Sequence, residues 1–114
     1  MKIIDVLKLL ESNKIIVILT PNKIEAKLVY DRFKLNEFVD TKIVDKNTLD
    51  VNGSRLIVTD PIDIKHTVCL SHSMTRMFQG NMPHVIVEFP QCIPNYVLNK
   101  IHAADVTFCS EELV

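Results

Sequence analysis

The chain has 114 residues, of which 47% are hydrophobic and only two are glycine, so a disordered or low-complexity chain is excluded and a single domain over residues 1–114 is expected. Its 13 basic and 14 acidic residues give a net charge of −1, which excludes a domain built throughout as a clamp for duplex DNA. The three cysteines fit no disulfide pattern, which predicts a cytoplasmic protein. No apolar run approaches the roughly 20 residues that span a bilayer, so no membrane partner is expected.

The first part of the sequence predicts a helix, a buried strand and a second helix. Apolar residues of Lys2–Leu10 recur at helical spacing, and Lys14–Leu19 is a short β-branched run that is apolar on both faces. After that strand, Asn22 is a suitable cap for an amphipathic helix whose apolar stripe includes Ala26 and Val29. This order of strand, turn and helix is typical of an α/β unit.

The middle of the sequence predicts short strands and one hairpin. Ile43-Val44 indicates a short strand, and Asn52-Gly53 within Leu49–Val58 indicates a β-hairpin, because both turn residues accept positive φ. Ile62–Phe78 follows with a ragged helical pattern, and His84–Phe89 is a second strand of the buried type.

The last part of the sequence completes the predicted fold. Pro94 is placed to begin a helix that runs through His102, and Asp105–Cys109 is the last predicted strand. Together, these elements predict a three-layer α/β fold with a mostly parallel sheet of four to five strands and one β-hairpin.

Four short motifs follow one another in a distinctive order. A strand is followed by Thr20-Pro21-Asn22, and later come the turns Asn52-Gly53-Ser54 and Gln79-Gly80-Asn81. A strand that ends in Glu88 is then followed by Cys92-Ile93-Pro94-Asn95-Tyr96. This order resembles the ATPase domain of the large terminase subunit of tailed phages, a RecA-like motor that packages DNA. The resemblance covers most of the chain and implies a RecA-like fold.

The departures from that family concern its catalytic parts. Glu88 matches the first Walker B acid, which holds magnesium in the family, but Phe89 replaces the second, catalytic acid. Arg76 lies near the family's arginine position, where Gln79 stands instead. A phosphate-binding loop also requires glycines followed by Lys and Ser or Thr, and neither glycine of this chain has that context. ATP hydrolysis by the chain alone, a catalytic residue and a cofactor are therefore not expected.

A RecA-like domain without its phosphate loop is expected to act by contact. The predicted function is that of a non-catalytic, phage-type protein-interaction domain, an adaptor or inhibitor of a nucleic-acid motor or related enzyme, located in the host cytoplasm if the source is viral. Loss of the phosphate-loop strand would also leave an uncovered sheet edge, so a homo-oligomer is a further expectation. The candidate contact residues are Asn22, Asp60, Arg76, Met77, Gln79, Asn81 and Glu88.

Two other functions stay open from the sequence. An accessory nucleic-acid-binding protein would use a basic face made of Lys23, Lys27, Arg32, Lys34 and Arg55. A small enzyme would use Glu88 or a pair formed by Cys92 and His84.

A metal site is the remaining motif to weigh. His66, Cys69 and His72 are spaced so that one helix face could present all three to an ion. This spacing is not that of a standard zinc site, so no metal is predicted, and the cysteines are interpreted as small core residues.

Overall fold

Five parallel strands form the sheet in the computed structural model, which describes residues 1–38, 40–48, 51, 53–66, 82–101 and 103–114. The strands lie in the order β2–β3–β1–β4–β5. The strand bounds are β1 Ile16–Leu19, β2 Thr41–Ile43, β3 Leu56–Thr59, β4 His84–Glu88 and β5 Asp105–Cys109. The helix bounds are α1 Ile3–Glu11, α2 Lys23–Arg32 and α3 Asn95–Leu98, and single 3₁₀ turns cover Leu35–Glu37, Asp63–His66 and Pro90–Cys92.

The α/β fold predicted from the sequence is confirmed, with one sheet and helices on both of its faces. Ile16, Ile18 and Ile86 point to one face, where Val6 of α1 and Val29 of α2 pack against them. The alternate residues of the same strands form a second core on the other face, where Val97 of α3 packs against them: Val17, Leu19, Val85 and Val87. Helices on both faces explain why β1, β3 and β4 are apolar on both sides and buried throughout.

The predicted β-hairpin is not confirmed. The strand that would be its second arm, β3, pairs in parallel with β1 on one side and with β2 on the other. Because a strand has only two edges, β3 has no edge left for an antiparallel arm. Gly53 does adopt a positive φ of 83°, as a turn residue does, while residues 49, 50 and 52 lie outside the described part of the chain.

Two predicted helices differ from the structure where it describes them. The helix after Pro94 ends at Leu98 rather than at His102, and His102 itself lies outside the described residues. The predicted helix Ile62–Phe78 begins in the structure as the 3₁₀ turn Asp63–His66, and residues 67–81 lie outside the described part. Within the described residues, no helix has the length and apolar character that crossing a membrane requires.

Candidate functional site at the carboxyl edge of the sheet

The carboxyl ends of the adjacent strands β1 and β4 form a topological switch point of the sheet. From β1 the chain runs through α2 to β2 on one side of the sheet order, and from β4 it runs through α3 to β5 on the other. The two helices pack on opposite faces of the sheet. In open α/β sheets this arrangement leaves a crevice outside the carboxyl ends of the strands, where ligands bind.

A groove of about 490 Å³ lies at this edge, between the segments that follow β1, β3 and β4. Its walls are largely apolar, with prolines from all three segments: Pro21, Pro61 and Pro94. Ile24, Ile62 and Tyr96 also line it, and their side chains are 75%, 68% and 65% exposed. Three large apolar side chains from three separate segments therefore lie around one groove and remain in contact with solvent.

Two residues predicted from the sequence, Asn22 and Asp60, lie in the wall of this groove. Asn22 caps α2 as predicted, because its Oδ1 accepts the Glu25 N–H at 2.9 Å. Oδ1 of Asp60 accepts the Asp63 N–H at 2.7 Å, whereas Oδ2 of Asp60 is buried without a hydrogen-bond partner. Asp60 thus combines a structural role with one unsatisfied carboxylate oxygen at the groove.

An ion pair lies beside the groove. Asp63 is almost fully buried, and its Oδ2 lies 3.3 Å from Nζ of Lys23 at the start of α2, although the contact lacks the geometry of a hydrogen bond. Thr20 ties β1 to β3 at the same edge, since its hydroxyl donates to the Thr59 carbonyl at 3.0 Å. These contacts fix the relative positions of the segments that follow the two strands.

The third predicted residue, Glu88, lies at the same edge but is buried rather than open to the groove. Its Oε2 accepts the Leu113 N–H at 3.1 Å, and its carboxyl faces that of Glu25 on α2. The pKa of Glu88 is raised to about 7, mainly by burial; Glu25 acts in the same direction, while the Leu113 N–H and the charge of Arg32 oppose the rise. Glu88 is therefore a structural acid, held beneath the segment that contains Leu113.

The residue after Glu88 has a strained backbone. Phe89 adopts the left-handed conformation, with φ of 51° and ψ of 58°, and turns the chain from β4 into Pro90. Bulky side chains rarely take this conformation. The residue after the acid at the end of β4 thus forms a tight turn.

The residues proposed for a small enzyme are not brought together. His84 begins β4, where its Nε2 lies 2.8 Å from the Thr107 hydroxyl, and Cys92 lies beyond the other end of the same strand. A five-residue strand separates its ends by roughly 13 Å. Arg76, Met77, Gln79 and Asn81 lie outside the described residues, as do Cys69 and His72, and no side chain is described for His66.

The predicted basic face is divided between two edges of the sheet, and most of its charges already have partners. Lys23 pairs with Asp63, and Lys27 pairs with Asp31 at 3.2 Å. Arg32 contacts the Glu112 carboxylate and donates to the Leu113 carbonyl at 3.1 Å. Arg55 donates to the Leu10 carbonyl at the amino edge of the sheet, opposite the edge where Lys23 lies. Lys34 is exposed.

Several features of this edge were not predicted from the sequence. The sequence pattern places Ile24, Ile62 and Tyr96 in predicted helices and does not show that they form one surface. The signal for Ile24 was present, because it lies off the apolar stripe of Ala26 and Val29 that faces the core. No local signal identifies the contact between Glu25 and Glu88, which joins two separate elements.

Across the described residues, no cluster of three or more His, Cys, Asp or Glu side chains is arranged to hold a metal ion. Comparison with known proteins finds no family model, no curated protein and no solved structure that matches this chain.

Proposed function

We propose that this domain is a non-catalytic protein-interaction module that binds its partner in the groove at the carboxyl edge of the sheet. The observation that carries the proposal is the exposure of Ile24, Ile62 and Tyr96 around that groove. Exposed apolar side chains gathered at one place mark interaction sites, since a monomer gains by removing them from water. The burial of one such side chain is worth about 1.5–3 kcal/mol.

The polar groups near the groove support binding rather than catalysis. Glu88 is covered by Leu113 and Glu25, and Asp63 is paired with Lys23, so neither acid is free to act on a substrate. The unsatisfied Oδ2 of Asp60 is the group that remains. That oxygen is buried, so the groove offers a partner chiefly its apolar walls.

The class of partner follows from the terminase resemblance. A RecA-like domain that lacks a phosphate loop and the second Walker B acid cannot drive a motor by itself. Such a domain is suited to act as an adaptor or inhibitor of a nucleic-acid motor or related enzyme. The partner is therefore proposed to be a protein of that class. The experiment below distinguishes such a partner from direct binding of nucleic acid.

The experiment is a tagged pull-down from lysate of the native host, with and without nuclease. We expect a stoichiometric protein partner that survives nuclease, and we expect Ile62→Lys to reduce its recovery at least about tenfold, because a charge replaces an apolar contact. The matched control is Ile4→Lys on α1, which alters an isoleucine that is 55% exposed, against 68% for Ile62, and does not line the groove.

Three outcomes would overturn the proposal. A partner retained equally by Ile62→Lys and by the parent protein would place the interaction elsewhere. Recovery that disappears with nuclease would instead favour the accessory nucleic-acid-binding function, and its affinity should then fall steeply with salt. An equal loss of partner in both variants would show that the effect is not specific to the groove.

A further inference from the structure

The last strand, β5, is an edge of the sheet. It pairs with β4 on one side, and no other described strand pairs with its outer side. Phe108 in this strand is 61% exposed. Edge strands are usually protected from pairing by charged side chains, proline or a bulge; Asp105–Cys109 has one charged residue, Asp105 at its start, contains no lysine or proline, and keeps a continuous register with β4.

The register with β4 determines which backbone groups point outward. The Phe89 N–H donates to the Cys109 carbonyl at 2.8 Å, so the backbone of Cys109 faces β4. Residues of a strand alternate in direction, and in the parallel register Val85 lies opposite Val106 and Val87 opposite Phe108. The N–H and C=O groups of Val106 and Phe108 therefore point away from β4.

We infer that β5 is a dimerisation edge on which a second copy of this chain adds its own β5 in the antiparallel direction, with the two-fold axis at Thr107. In this register Val106 of one chain lies opposite Phe108 of the other. These are the residues whose backbone groups point outward, so each pair can exchange both of its hydrogen bonds once the Val106 N–H, which donates to Asp105 Oδ1 at 2.9 Å in the single chain, is released to the partner strand. The two sheets would then become one continuous sheet.

The side chains of β5 are also self-complementary in this register. Val106 and Phe108 of the two copies meet on one face of the sheet, and β-branched and aromatic residues form favourable cross-strand pairs. The two Thr107 residues meet on the other face, which is also a favourable pair. Asp105 lies opposite Cys109, so the two aspartates stay at opposite ends of the joined strands. An isologous contact of this kind fits a second copy rather than an unrelated peptide.

The first experiment measures the mass of the protein in solution by sedimentation equilibrium from about 1 to about 100 µM. We expect twice the 13.0 kDa of one chain at the upper end. Phe108→Lys should restore the single-chain mass, because lysine protects a strand edge and Phe108 is exposed in the single chain. Tyr96→Lys, which changes an equally exposed aromatic residue of the groove, should leave the dimer intact.

The second experiment tests the register. At the axis, the two Thr107 residues form a non-hydrogen-bonded pair, whose Cα atoms lie about 4.5 Å apart and are within reach of a disulfide. Because Cys92 is free and exposed, the test uses a Cys92→Ser background, in which oxidised Thr107→Cys should give a disulfide-linked dimer band that the background protein lacks. Glu111→Cys, an exposed position beyond the strand, should not give it.

The outcomes separate this inference from the proposed function. A wild-type mass of one chain across the whole range would overturn dimerisation, and so would a dimer that persists in Phe108→Lys. A dimer without the Thr107→Cys cross-link would overturn the register. The groove and β5 are changed by different substitutions, so the loss of partner binding in Ile62→Lys leaves the dimer test unaffected.

Discussion

The carboxyl groups of Glu25 and Glu88 face each other where α2 passes the end of β4. Oε1 of each carboxyl is buried, and no donor group of the protein forms a hydrogen bond with it. Two carboxylates so close repel each other, but one shared proton satisfies both oxygens. Burial of the Glu88 carboxyl is the main cause of its pKa of about 7, and the nearby Glu25 raises the pKa in the same direction.

This contact makes stability depend on pH. The pKa of Glu88 rises from 4.5 in the unfolded chain to about 7 in the folded one, so the folded state binds the proton more tightly. The stabilisation from that proton is complete below pH 4.5 and is lost as pH rises through 7. Glu88→Gln keeps a neutral donor beside Glu25, so we expect it to be more stable than the parent at pH 8, by on the order of 2 kcal/mol.

Urea unfolding at pH 5 and pH 8 measures the difference. The stability advantage of Glu88→Gln over the parent should be larger at pH 8 than at pH 5, because residue 88 loses a proton over this range only in the parent. Glu111→Gln, at an exposed acid, is the control for a change of net charge. An advantage of equal size at both pH values would show that Glu88 does not titrate in this range.

The ion pair between Lys23 and Asp63 provides a test at the wall of the groove. Asp63 is 2% exposed, so Lys23→Met would leave a buried carboxylate without its opposite charge. We expect a loss of about 1–3 kcal/mol in the free energy of unfolding. Lys27→Met is the matched control, because both partners of its pair with Asp31 are exposed, and it should cost less than about 0.5 kcal/mol. Equal losses in the two variants would contradict a special role for Asp63.

The sequence predicted those parts of the fold that depend on local pattern. β1 and β4 were predicted as buried strands from their apolar residues, and the structure buries all of their residues; β3 was predicted as a strand too, but as one arm of a hairpin. The hairpin was predicted from Asn52-Gly53, which is a local signal, whereas the pairing of β3 is decided by strands distant in sequence. The free energy by which a turn sequence favours a hairpin is small compared with the free energy gained when a whole strand is buried between two others.

The same difference applies to the candidate site. Asn22 and Asp60 were predicted as contact residues, and both line the groove. Glu88 was also predicted as a contact residue, but its burial depends on Leu113 and Glu25, which come from other parts of the chain. A local pattern cannot show which apolar side chains remain exposed, so the surface around the groove became visible only in the folded chain.

Nucleotide should not stabilise this protein. The sequence has no phosphate-binding loop, and Glu88, the residue that would correspond to a magnesium ligand, is buried under Leu113. We expect Mg-ATP to leave the melting temperature unchanged in a thermal unfolding scan, with Mg-chloride alone as the reference. A ligand at 100 times its Kd would stabilise the fold by about 2.7 kcal/mol, so a clear rise in melting temperature would contradict the non-catalytic interpretation.

The helix cap at Asn22 tests whether the groove depends on the start of α2. Asn22 Oδ1 accepts the Glu25 N–H, which places Ile24 and Lys23 beside the groove and directs Glu25 towards Glu88. Asn22→Ala removes this acceptor and should cost about 1 kcal/mol of unfolding free energy, while Asn22→Asp keeps it and should cost much less. If the cap positions the groove, Asn22→Ala should also weaken partner recovery at temperatures where the protein remains folded, and Asn22→Asp should not. Equal recovery in the two variants would mean that packing of Ala26 and Val29 alone positions α2.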